Sequence, residues 1–235
     1  MSAKAEASKP PAVPRRSFRR IANFCLGLIG LLLGSVVVAP QLLAFPYHAD
    51  VGTTRVYAET PLDPAMVRTV LARADARLAT SPLHDGPVGT RVFLTDGGWR
   101  WRLLALTNGE SLGFTRPASD LVSDAVILNR SDVARDSVTT AFGTRALSDI
   151  IAHERTHIMV RRHLGPIDGL LLPAWIGEGY ADHVAGSSTL SGDQAAQLRR
   201  DRRQPRALFY YDSRRRVEAV LAANGGDVEA LLRMR

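Results

Sequence analysis

The apolar positions of this 235-residue chain follow two regimes. From Ile21 to Phe45 no side chain carries a charge, and about 20 apolar residues are enough to span a bilayer. Beyond that run the apolar positions become periodic. Val67, Val70, Leu71, Ala74 and Leu78 recur at helical spacing within residues 61–79, and Pro64 suits a first turn. Residues 91–95 read as a strand ended by Asp96-Gly97-Gly98, and residues 125–129 as another. A possible short strand covers 54–58 in an otherwise irregular stretch from 46 to 60. Residues 99–106 suit a short helix, and 108–117 a loop opened by Asn108-Gly109. Residues 138–163 read mostly as one helix, 173–185 as containing a second, 186–192 as a turn, and 206–223 and 227–232 as terminal helices. This order predicts an α+β domain: a small mixed sheet, a central helix and a helical C-terminal part, preceded by one N-terminal transmembrane helix.

The central helix carries Ala152-His153-Glu154-Arg155-Thr156-His157, which fits H-E-x-x-H. Residues four apart share a helix face, so His153 and His157 can offer two imidazoles to one metal ion. Glu154 lies beside the first ligand, where its carboxylate can take a proton from a water that the metal activates. Imidazole suits zinc, which lowers the pKa of bound water to about 7. A solvated helix face bearing two histidines is the plain alternative. Against it, Leu147, Ile150, Ile151, Ile158, Met159 and Val160 surround the motif as on a helix packed into a core. Polar groups buried among them need partners.

Catalytic zinc keeps three protein ligands and an open position. Sixteen residues after His157 begins Pro173-Ala174-Trp175-Ile176-Gly177-Glu178-Gly179-Tyr180-Ala181-Asp182. Glu178 is the natural third ligand on a second helix. Asp182, one turn later, can accept a hydrogen bond from the outer nitrogen of a ligating histidine. H-E-x-x-H followed by W-x-x-E-G-x-A resembles the gluzincin metallopeptidases, the group that includes thermolysin and the zinc aminopeptidases. The resemblance covers about 30 residues well. It implies that His153, His157 and Glu178 bind Zn2+ and that Glu154 is the general base. Gly177 stands where the aminopeptidases usually have Asn, and no G-x-M-E-N signature is present. His163 is a rival third ligand at the metzincin spacing, but Val160 occupies the glycine position that lets a metzincin chain turn. Val160 instead suits a helix that continues to Gly165-Pro166, which points His163 away from the metal.

The expected activity is zinc-assisted hydrolysis of a peptide or protein substrate. The developing oxyanion needs a donor besides the metal. The resembled family often uses a downstream Tyr or His, for which Tyr210, Tyr211 and His183 are candidates and Tyr211 is preferred. His48 and His84 read as loop residues. In that family a strand before the metal helix lines the cleft and pairs with an extended peptide; residues 125–129 are the candidate, although an ordinary core strand fits the run equally well. A zinc-binding, chaperone-like or interaction module without turnover is the alternative function. An intramembrane protease is disfavoured, because Asp149, Arg155, Arg161 and Arg162 surround the motif and such charges are costly in lipid.

Charge then sets the topology. Lys4, Lys9, Arg15, Arg16, Arg19 and Arg20, against Glu6 alone, precede the apolar run, so residues 1–20 read as a basic cytoplasmic tail. Residues 21–45 follow as a signal-anchor, and 46–235 as the metallopeptidase-like domain outside a bacterial cytoplasmic membrane. A cleaved signal peptide competes with the anchor, but the apolar run is long for one and small-x-small cleavage sites are scarce near its end. Residues 1–45 contribute +5 of the total +7, leaving only +2 elsewhere, so nucleic acid is not an expected partner. The arginine-rich run 199–216 reads as a solvated face, with anionic lipid or an acidic substrate as an alternative contact. Cys25 is the only cysteine, which excludes an intrachain disulfide and a cysteine-rich metal site. Nearly all 30 basic residues are arginine, a pattern common in GC-rich bacteria.

Overall fold

The computed structural model describes residues 15–106, 109–116 and 124–234, and the chain divides into two compact units, residues 1–42 and 43–235. The basic tail before residue 15 lies outside the described residues. In the first unit, α1 (Arg15–Val38) is a helix of 24 residues. Its stretch Arg19–Val36 is, among the described residues, the one segment long and apolar enough by length and composition to cross a membrane. Phe24, Leu26 and Leu31 are exposed on it, as is Cys25.

The second unit mixes helices with a small mixed sheet. β1 (Tyr47–Val51) and β2 (Thr54–Ala58) form a hairpin turned at Gly52, whose φ is 55°. α2 (Pro64–Leu78) starts where the Asp63 side chain accepts the Ala65 N–H, and leads to β3 (Arg91–Leu94), parallel to β2. After α3 (Trp99–Ala105) comes β4 (Gly113–Arg116), antiparallel to β5 (Ala125–Leu128), which is itself parallel to β3. The sheet order is β1-β2-β3-β5-β4. β3 and β5 are buried along their whole length, as expected of inner parallel strands covered on both faces. A second, antiparallel sheet joins β6 (Ser131–Asp132), β7 (Ser137–Thr140) and β8 (Gly143–Ala146).

Six helices follow: α4 (Leu147–Leu164), α5 (Pro166–Leu171), α6 (Ala174–Ala185), α7 (Gly192–Arg200), α8 (Arg206–Ala223) and α9 (Val228–Leu232). α4 packs against α2, α6 and β4, and α6 packs against α8. Leu147, Ile150, Ile151 and Ile158 of α4 join Val92, Val126 and Leu128 of the sheet in one core. Each such side chain contributes about 1.5–3 kcal/mol when fully buried.

Several boundaries differ from the periodicity reading. The central helix begins at Leu147, not near residue 138; Val138 belongs to β7. The β7–β8 turn returns the chain to Asp136, whose carboxylate accepts the Ser148 N–H at 2.7 Å and hydroxyl at 2.8 Å and so caps α4. Gly165, at φ 87°, ends α4 and α5 starts at once. β1 and β4 occupy stretches expected to be irregular, and α7 follows the turn at 186–192. Asn108 and Pro117 of the expected loop lie outside the described residues.

Candidate metal centre

α4 presents His153 and His157 one turn apart on one face, and α6 delivers Glu178 opposite them. His153 Nε2 lies 3.2 Å from His157 Nε2 and 3.2 Å from Glu178 Oε2, and His157 Nε2 lies 3.5 Å from the same oxygen. These three residues could hold a metal ion. The donor set of two imidazoles and one carboxylate fits zinc, and the spacing fits it too. A tetrahedral ion with bonds of about 2.0–2.1 Å separates its ligand atoms by roughly 3.3 Å.

Asp182, fully buried one turn after Glu178, meets His153 Nδ1 at 2.7 Å. That contact turns Nε2 toward Glu178 and His157. Burial disfavours the charged His153 ring, but the Asp182, Glu178 and Glu154 carboxylates outweigh it and raise its pKa to about 10. Burial also works against the Glu178 carboxylate, yet the two histidines hold it well below the usual range. Asp182 is likewise lowered against burial, by Arg145 and His153. The carboxylates thus favour positive charge on the His153 ring, and the histidines favour negative charge on Glu178.

Glu154 faces the sheet edge. Its Oε2 accepts the Thr115 hydroxyl at 2.7 Å, and its carbonyl accepts the same hydroxyl at 3.0 Å. A β-carbon on Gly113 would lie 3.3 Å from Glu154 Oε1 and 2.5 Å from Leu128 Cδ2, so β4 comes this close because residue 113 has no side chain. β4 is the outermost strand, and among the described residues no strand pairs with its outer edge. The Asn129 N–H donates to the Leu112 carbonyl at 2.8 Å. Antiparallel alternation from that bond turns the backbone groups of Gly113 and Thr115 outward. The Ser111 hydroxyl donates to the outward Gly113 carbonyl at 2.5 Å.

Two expectations need correction. Residues 125–129 do not offer a free strand edge, because β5 is paired on both sides; β4 is the edge strand beside Glu154. The structure also does not bring Tyr211 to the site. Its ring packs beside Leu190, Leu198 and Leu208, with the Arg199 guanidinium 5.9 Å from the ring centre. Tyr210, one helical step away, has its ring centre 6.3 Å from that of His153. Burial pushes the Tyr210 phenol above its ordinary pKa, and Glu178 and Glu154 add to the rise, so it keeps its proton as a donor. His183 stacks on Tyr180 at 6.1 Å, and His163 pairs with Glu229 at 2.6 Å on another face of α4.

Two contributors escaped the sequence reading, Thr115 and Arg145, while Tyr210 was among its candidates but not the preferred one. Thr115 and Arg145 come from short strands whose pairing only the fold defines. The chain matches no family model, and neither a characterised protein nor a solved structure is found to be similar to it.

Proposed function

We propose that this chain is a zinc-dependent peptidase of the gluzincin type, anchored to a membrane by α1. The observation that carries the reading is the convergence of His153 Nε2, His157 Nε2 and Glu178 Oε2 within 3.5 Å of one another, with both histidines on the helix that also bears Glu154 and Glu178 on α6. His153, His157 and Glu178 would hold a zinc ion, which would supply Lewis acidity for a carbonyl group and lower the pKa of water. Glu154 accepts the proton of the attacking water and passes it to the leaving amine. Tyr210 donates its phenolic hydrogen to the developing oxyanion. An extended substrate pairs with the outer edge of β4 through the Gly113 N–H and the Thr115 N–H and carbonyl, since Ser111 engages the Gly113 carbonyl.

The test is zinc content and cleavage of an unfolded protein by the full chain and its Glu154→Gln variant. The variant keeps size and zinc but loses the proton acceptor, so hydrolysis falls by about 10²–10⁴-fold. Near-normal turnover by the variant sinks the mechanism. Stoichiometric zinc without cleavage by the wild type favours a zinc-binding interaction module instead.

The basic residues before Ile21 orient the anchor with its N-terminus in the cytoplasm of a bacterial cell and residues 46–235 outside it. A reporter fused after Arg235 is then active only if export activates it. Activity of a cytoplasm-dependent reporter at that position overturns the orientation.

A further inference from the structure

We propose that Arg145 is a positioning residue that sets the metal affinity of the site by holding the Asp182 carboxylate on which His153 rests. The inference depends on the metal-centre part of the reading above, but not on peptidase activity.

One carboxylate oxygen serves two donors. Asp182 Oδ1 accepts from Arg145 Nη2 at 2.8 Å and meets His153 Nδ1 at 2.7 Å. The side chains of Arg145 and Asp182 are 6% and 1% exposed, so water does not substitute for either partner. Arg145 is itself fixed: Nε donates to Ser187 Oγ at 3.1 Å, and Nη2 to the Ser187 carbonyl at 3.1 Å. Among the described residues, the other Asp182 oxygen has only Ser188 Oγ, at 3.4 Å. Asp182 therefore has one strong anchor apart from the histidine it supports.

The connectivity gives this anchor leverage. Arg145 lies in β8, which runs directly into α4 and its two histidines. Ser187 follows Gly186, the left-handed cap of α6, the helix of Glu178 and Asp182. One guanidinium thus ties the start of the histidine helix to the end of the glutamate helix. Without it, the buried Asp182 keeps only His153 and the long Ser188 contact, and its carboxylate loses the guanidinium that fixes its orientation. It can then turn Oδ1 from His153, and the imidazole loses the contact that aims Nε2 at the other ligands.

The experiment is a competitive chelator titration with zinc on the full chain in detergent, for the wild type, Arg145→Met, Asp182→Asn and the double variant. Arg145→Met should weaken zinc binding by about 10–100-fold, the range for residues that support a metal ligand. The same change in the Asp182→Asn background should have an effect of less than about threefold, because the residue acts through Asp182. Arg145→Lys, which keeps a charged donor but cannot bridge to Ser187 in the same way, should fall between wild type and Met and guards against a misfolded Met variant. Unchanged affinity in Arg145→Met and Arg145→Lys overturns the proposal, and so does an equal loss in both Asp182 backgrounds. A wild type that takes up no zinc overturns the metal centre and this proposal together. Zinc uptake without peptide cleavage overturns only the peptidase reading.

Discussion

On one side of α4, Arg155 is 1% exposed and each of its three guanidinium nitrogens has a protein partner. Its guanidinium donates to Asp75 at 2.6 Å, to Thr54 at 2.6 Å, and to Thr90 at 3.1 and 3.2 Å. On another side, His153, His157 and Glu178 point donor atoms of the same chemical kind at one another. The first cluster brings a cation, an anion and two hydroxyls that satisfy one another, with Asp75 also reaching solvent. The second brings together three atoms that could hold a metal ion, beside carboxylates that favour positive charge there. Both bury polar groups beside the same core, so burial alone does not separate structural from functional chemistry. Internal closure does under the proposed function: a closed cluster can be exchanged for apolar side chains, whereas a cluster that holds a metal ion loses that capacity with any of its donors.

The largest break in this contrast is Glu178→Ala. Removing one of the three proposed ligands should weaken zinc binding well beyond the about 10–100-fold typical when only a supporting residue is lost. His163→Ala, on the face that meets Glu229, should leave zinc content unchanged. Zinc stoichiometry of the two folded variants checks this, and melting with and without zinc locates the loss in the metal-bound form alone. Full zinc in Glu178→Ala would remove the third ligand from the site.

Arg155→Met should act in the opposite way. It strands the buried Thr54 and Thr90 hydroxyls, and each unpaired group costs about 1–3 kcal/mol. Asp75 is more than half exposed and can return to water. A stability loss of about 3 kcal/mol is expected, a fall of roughly 6–12 °C in Tm for a domain of this size, with zinc stoichiometry intact. Adding Thr54→Val and Thr90→Val should restore most of the loss. Failure of the triple variant to recover, in thermal melts followed by circular dichroism, would refute the exchangeability of the closed cluster.

The open cluster was far more legible in the sequence than the closed one. His153, Glu154 and His157 share a short helical repeat, and Glu178 and Asp182 share another, so spacing alone aligns each group. Nothing local marks Arg155 as buried, because its partners lie 65 to 101 residues away. β4 was missed because Gly113-Phe114-Thr115-Arg116 is short and begins with a weak strand former; its partner β5 makes it a strand. β6, β7 and β8 are short and mostly polar, so alternation is faint. The tyrosines failed on rotation: neighbours on a helix differ by about 100°, and apolar residues lie on several sides of α8. Tyr210→Phe should therefore lower kcat by about 10²-fold under the proposed mechanism, and Tyr211→Phe should change it little. Equal losses in steady-state assays would return the two residues to the same standing.

The smallest and sharpest test uses the glycines that flank Glu178. Both sit in α6, and helix propensity alone predicts that alanine stabilises either one by about 0.5–1 kcal/mol. Packing separates them. A β-carbon at Gly179 would lie 2.4 Å from the Ser213 carbonyl oxygen and 2.8 Å from Val217 Cγ2, so α8 would have to move away. At Gly177 the nearest atom is Leu172 Cδ2 at 3.8 Å, an ordinary contact. Gly179→Ala should cost about 2 kcal/mol net, within the usual penalty for overpacking, and should weaken zinc binding because α8 also carries Tyr210 and supports the helix of Glu178. Gly177→Ala should keep zinc affinity and gain a few tenths to about 1 kcal/mol. Denaturant melts and zinc titrations on the two variants read both quantities. If Gly177→Ala lost as much stability as Gly179→Ala, the close approach of α6 and α8 would not be what holds Glu178 in line with the histidines.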